Sequence, residues 1–305
     1  MKTGYLERSC AFDNISSLFQ PQEKDVDYST FQAPSMKLIN IVQKREKQMN
    51  TNRKTVVSGK GIPADTHRQA AISVGIMFII ATVTAILGLL FYQPILSGPD
   101  YFINGAAQKN QVIVGALMEL ILACTAIGTA IGLFPVLRPH GERIALGHLF
   151  FRFLEAVVIT IGIVAVLSLL TLSQAFVAAA ASDAAAYHVA GNLLRAVYKW
   201  TSMLGPLFLL GVNTLMYSYL LYKSKLVPRP LAVLGISGAT LVFSYAMLVM
   251  FGVAVQGAAP LVVLALPIAA YEMILAGWLI VKGFHSSAVA YTSAKTQTDE
   301  VLSAA

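Results

Sequence analysis

The 305-residue chain is 56% hydrophobic and only 12% charged, about half the charged share of an ordinary soluble domain. Its formal net charge is +7, and 11 of its 22 Lys and Arg residues lie before residue 70. This excludes a soluble fold, and the basic residues flank apolar runs in a way that membrane topology explains better than nucleic-acid binding.

Residues 1–68 are polar and lack a sustained hydrophobic period, so they read as a mostly disordered cytoplasmic tail. No apolar core of the kind a signal peptide needs is found there, and the first apolar run is expected to serve as an uncleaved anchor. Within the tail, Lys44, Arg45, Lys47, Arg53 and Lys54 form a basic cluster. Its position favours a topology determinant that holds the N-terminus inside, with contact to anionic lipid as the alternative. Met49 opens the run Met-Asn-Thr-Asn-Arg-Lys and is a candidate second start.

A hydrocarbon core of about 30 Å needs about 20 apolar residues in a helix. Six stretches qualify: residues 70–92, 112–137, 144–172, 203–222, 231–255 and 261–280. Backbone amides in lipid must pair within their own segment, so each is expected to be a spanning helix. The fold class is therefore all-α, a polytopic membrane bundle, with a membrane domain over 69–284 and a flexible cytoplasmic tail over 285–305. Placing both termini inside leaves 18 Lys and Arg on the cytoplasmic side, three outside, namely Lys109, Arg195 and Lys199, and Arg152 within a span. The positive-inside rule thus predicts a multi-pass protein of the inner (plasma) membrane with both ends cytoplasmic. Between the third and fourth spans, Ser182 and Asp183 are candidate caps, and Leu193, Leu194, Val197 and Trp200 recur at helical spacing. A short interfacial helix is expected there, lying on the outer leaflet or capping the bundle.

Three tracts carry a family resemblance. They are Lys223-Ser-Lys-Leu-Val-Pro-Arg-Pro-Leu-Ala-Val-Leu-Gly235, Arg152-Phe-Leu-Glu155, and Glu272 followed by Trp278-Leu-Ile-Val-Lys-Gly-Phe284. Together they resemble the DUF4386 membrane family over residues 65–285. The resemblance implies six helices, a bacterial origin and no established activity.

Ionisable groups at membrane depth are the strongest functional signal, because each costs about 2.5–3.5 kcal/mol to insert and should turn inward. At about 1.5 Å per residue, Glu119 lies roughly 10 Å and Glu272 roughly 16 Å below the outer ends of their spans. Arg152 and Glu155 lie roughly 12 and 16 Å above the inner end of the third span. Asn213 falls midway along the fourth. These five residues form a candidate intramembrane polar site, with Arg152 and Glu155 spaced to pair on one helix. The alternative is a buried network that only fixes helix order.

Other features carry less. His148 is expected to be packed or interfacial, and His188 has no partner at metal spacing. Neither a metal nor a cofactor is expected, and no HExxH, GxSxG or Walker pattern occurs. Gly128-Thr-Ala-Ile-Gly132 predicts close packing on a neighbouring helix, and Pro206 and Pro267 are candidate kinks. Three function classes follow. A non-catalytic sensing or partner-binding role comes first and a small proton- or cation-linked transporter second, though no internal repeat supports transport. A membrane enzyme acting on lipid comes last, for lack of a nucleophile.

Overall fold

The computed structural model describes residues 43–45, 47, 64–179, 184–257 and 263–285. The chain divides into two units, 1–60 and 61–305. In the first, Gln43, Lys44, Arg45 and Lys47 are helical and exposed. Arg53, Lys54, Met49, Ser182, Asp183 and the C-terminal tail beyond His285 lie outside the described residues, as does most of the 1–68 tail.

In the second unit the described elements are helical. They are α1 (Ala64–Phe91), α2 (Gln93–Leu96), α3 (Tyr101–Ala107), α4 (Lys109–Leu137) and α5 (Glu142–Ala178), followed by α6 (Ala184–Met203), α7 (Leu210–Ser224), α8 (Arg229–Met250) and α9 (Leu266–Val281). Six helical runs are long and apolar enough to cross a membrane: His67–Phe91, Lys109–His140, Glu142–Ala178, Ala184–Ser224, Arg229–Met250 and Val263–Val281. The protein is thus a multi-pass membrane protein whose outer surface meets lipid.

Burial patterns agree with hydrocarbon as the solvent. On α1, Ala71, Val74 and Phe78 are buried, whereas Ile76, Val83, Ile86, Leu89 and Leu90 face outward. A helix that is apolar all round and exposes its largest side chains is stable in lipid and not in water.

The spans pack in chain order, each against the next, and α9 returns to α1, so the bundle closes into a ring. Small residues set the closest approaches. Gly128 and Gly132 on α4 face Met77 and Val74 of α1, where a methyl group in place of hydrogen would collide. The GxxxG thus serves packing within the chain. Gly75 of α1 meets the Ala276 carbonyl of α9 at the ring closure.

The two ends of the bundle differ. One end carries Arg138, Glu142, Arg143, Lys223, Lys225 and Arg229, and is called here the basic end. There Arg68 donates to the carbonyls of Leu279 (3.0 Å) and Ile280 (2.7 Å), completing the last turn of α9. The other, capped end is covered by α2 and α3, which occupy a stretch the sequence presents as a loop. Ser173 donates from its hydroxyl to the Phe102 carbonyl. Arg195 donates to the Leu96 carbonyl at 2.7 Å and stands 4.5 Å above the Tyr101 ring.

Three local features depart from the sequence expectations. The helix between the third and fourth spans exists, but it runs on through Leu204–Leu209 into α7 and packs on α5. Ala184–Ser224 is one run of 41 residues, roughly 60 Å at 1.5 Å per residue, twice the hydrocarbon thickness. Gly191, with no side chain, lets α6 press against Tyr101 and Phe102 of the cap. Second, the six residues Leu204–Leu209 form a π-helical turn around Pro206. Proline lacks the amide proton and crowds the preceding turn, and widening the turn accommodates both defects. Third, Pro267 occupies the first turn of α9, just after a 3-10 turn at Val263–Ala265, where its missing amide costs nothing.

Candidate functional site

Two polar groups lie inside the bundle. The first is built on α5. Arg152 and Glu155 are three residues apart, so their side chains share one face. Arg152 Nη1 donates to Glu155 Oε1 at 3.1 Å and to Oε2 at 2.9 Å. Asn213 of α7 donates from Nδ2 to the same Oε2. Arg152, Glu155 and Asn213 are all buried, and the Glu272 carboxyl of α9 acts electrostatically on both charged partners. A charge pair out of water survives only with good geometry and added hydrogen bonds. Here the carboxylate has two donors, on two helices.

The second group centres on Glu119 of α4. Tyr198 of α6 donates from its hydroxyl to Glu119 Oε1 at 3.0 Å. The Tyr92 ring meets Tyr198 edge-on at 5.6 Å. Gly88 of α1 leaves the space that the Glu119 side chain occupies. Beside these groups is a small cleft of about 20 Å³, lined by Glu119, Leu122, Ile159, Gly162, Tyr198, Thr201, Ser202 and Pro206. Glu119 is half-buried, in contrast to Glu155.

The structure therefore brings three of the five residues singled out from depth, Arg152, Glu155 and Asn213, into contact; half-buried Glu272 makes no hydrogen bond or ion pair with them among the described residues, and Glu119 has other neighbours. Ile159 and Gly162, which line the Glu119 cleft, stand four and seven residues beyond Glu155 on α5, roughly 6 and 10 Å along the axis. The π-helical turn lies between the two groups on the fourth span: Tyr198 precedes it and Asn213 follows it. Gly205 in that turn abuts the main chain of Glu155, and Pro206 lines the Glu119 cleft.

Three residues of these groups escaped the depth argument. Tyr198 and Tyr92 look like interfacial aromatics in sequence, and only the packing of α6 against the bundle makes Tyr198 a partner of Glu119. His148 precedes Arg152 by four residues, one helical turn, which would have placed it on the same face. It is buried, and its ring meets the Tyr217 ring of α7 at 5.1 Å. Among the described residues no cluster of three or more His, Cys, Asp or Glu is arranged to hold a metal ion.

The family model described as Domain of unknown function (DUF4386) matches residues 73–283. No curated protein and no solved structure matches the chain.

Proposed function

The chain belongs to the DUF4386 family, and we propose that it works without catalysis, as a membrane sensor whose ligand-responsive site is the Glu119 cleft. The observation that supports this most is the contrast in how the carboxylates are used. Glu155 is spent on a guanidinium and an amide, Arg152 and Asn213, whereas Glu119 faces only the neutral phenols of Tyr198 and Tyr92, is half-buried and borders a cleft. A carboxylate beside hydroxyls and apolar walls, with space for about one water-sized particle, suits a small cation such as ammonium, which contributes charge and N–H donors. The distribution of Lys and Arg supports an orientation with the basic end in the cytoplasm and the cap outside. In that frame Lys44, Arg45, Lys47, Arg53 and Lys54 act as topology determinants close to anionic lipid.

The test is thermal stability of the purified protein in detergent across a panel of ions and small amines. A ligand at 100 times its Kd adds about 2.7 kcal/mol, so wild-type Tm should rise by about 5 °C or more, while Glu119→Gln should not respond. A panel without any response, or equal responses in both proteins, overturns the sensor reading. A second reading, a small proton- or cation-linked transporter, draws on the π-helical turn between the two polar groups, since such turns recur at functional sites. It predicts ligand-driven proton flux in vesicles that is lost in Glu119→Gln, Glu155→Gln or Glu272→Gln proteins that still fold.

A further inference from the structure

The layer between α5 and α7 at the basic end holds a second set of polar atoms that the Glu119 cleft does not use. His148, Arg152, Asn213, Thr214 and Tyr217 are 0–3% exposed. Among the described residues, Arg152 Nε and Asn213 Oδ1 lack a hydrogen-bond partner, and His148, Thr214 and Tyr217 have only loose contacts short of good hydrogen-bond geometry, His148 with the Asn213 main chain and Tyr217 with Thr214 and Tyr271. They come from one turn of α5 and one turn of α7, and the His148 and Tyr217 rings touch edge to face at 5.1 Å. The layer that holds the ion pair thus also carries a concentration of poorly met polar atoms, which a folded interior does not tolerate without a partner.

We propose that this layer is a binding site for internal water, a small hydrogen-bonded cluster joining His148 and Tyr217 to the Arg152–Glu155–Asn213 group. The donor and acceptor inventory selects the ligand. Arg152 Nε only donates and Asn213 Oδ1 only accepts, neutral imidazole does one of each, and the two hydroxyls do both. A partner for all of them must donate and accept. An anion only accepts, and would face Asn213 Oδ1 and the carboxylates of Glu155 and Glu272. A metal ion would face the guanidinium of Arg152. Water meets the whole set, typically with two to four hydrogen bonds per molecule. Tyr271 makes a useful contrast. It is equally buried and stacks on Tyr217 at 6.1 Å, but its hydroxyl already accepts from Ser218 at 2.9 Å. It needs no water.

The cluster also has a structural role. Waters bridging α5 to α7 let a charged pair sit in a low-dielectric layer with every proton and lone pair engaged. The test is radiolytic hydroxyl-radical labelling of the wild-type protein in detergent, read by peptide mass spectrometry. Radicals formed at bound water attack the side chains that hold it. His148 and Tyr217 are expected to be labelled several-fold faster than Met203, whose sulfur is intrinsically more reactive but which is buried in an apolar cluster. Exposed His285 serves as the positive control. If His285 is labelled while His148 and Tyr217 remain as protected as Met203, the layer is dry and the proposal fails.

Discussion

The two carboxylates on adjacent helices, Glu119 of α4 and Glu155 of α5, are a natural pair to compare. Both are single acids at membrane depth, and by charge and depth alone they are equivalent. Glu155 is bound by a guanidinium from its own helix and an amide from α7, and it is buried. Glu119 is held by the Tyr198 phenol across an interface, with the Tyr92 phenol close by and a small cleft beside it. The difference teaches that cost of insertion marks where polar groups are, whereas the number of protein donors decides which remain available. A fully committed carboxylate stabilises helix order, and a partly committed one is where a ligand is gained.

The comparison breaks most sharply at Arg152. Arg152→Met strands the Glu155 charge in the bundle, and removal of one partner of a buried pair costs about 3–5 kcal/mol. The expected outcome is a steep fall in the yield of monodisperse protein and in Tm. An unchanged yield would show that Glu155 does not depend on its pairing. Next comes a lesion that touches neither polar group. Gly132→Leu forces a side chain into Val74 of α1 and should cost about 1–3 kcal/mol of overpacking, measured as a lower Tm with the ligand response intact. If the response is lost as well, the cleft depends on the α1–α4 seam.

Arg195→Gln removes the cation over Tyr101 and the donor to Leu96, with an expected loss of about 1–2 kcal/mol. Faster hydrogen exchange confined to α2 and α3 would locate that loss at the cap; exchange that rises across the whole bundle would argue against a local role. The smallest effect on stability should come from Glu119→Gln, which keeps the shape and weakens one charge-assisted bond by about 1 kcal/mol or less. Its folding yield should match wild type while cation affinity falls about tenfold or more. A folding defect as large as that of Arg152→Met would erase the distinction between the two acids.

The six spans and their register were legible because length and apolarity suffice when lipid is the solvent. The Arg152–Glu155 pair was legible because it is local, three residues apart on one helix. Asn213 joined it through depth, a coordinate that sequence supplies at about 1.5 Å per residue. Glu119 shows where depth fails, since azimuth around the helix and the neighbour it meets depend on packing. Its partner Tyr198 could be assigned only once Gly191 was seen to let α6 stand against Tyr101 and Phe102. Pro206 announced a disturbance in the fourth span, but whether the chain kinks or widens depends on what α5 offers across the interface. The short helices α2 and α3 were hidden because fewer than eight residues give too little period to read.

The ring closed by α9 on α1 has a consequence for biogenesis. Spans leave the ribosome one at a time, and in this topology each new span finds its permanent neighbour already in place, except at the end. The groove at Gly75 stays open until Ala276 arrives roughly 200 residues of synthesis later, a delay of about 10–40 s at ordinary elongation rates. Until then the first span presents an unfilled lateral face to the bilayer, so completion of the last helix is the event that distinguishes a finished molecule from one fit for degradation.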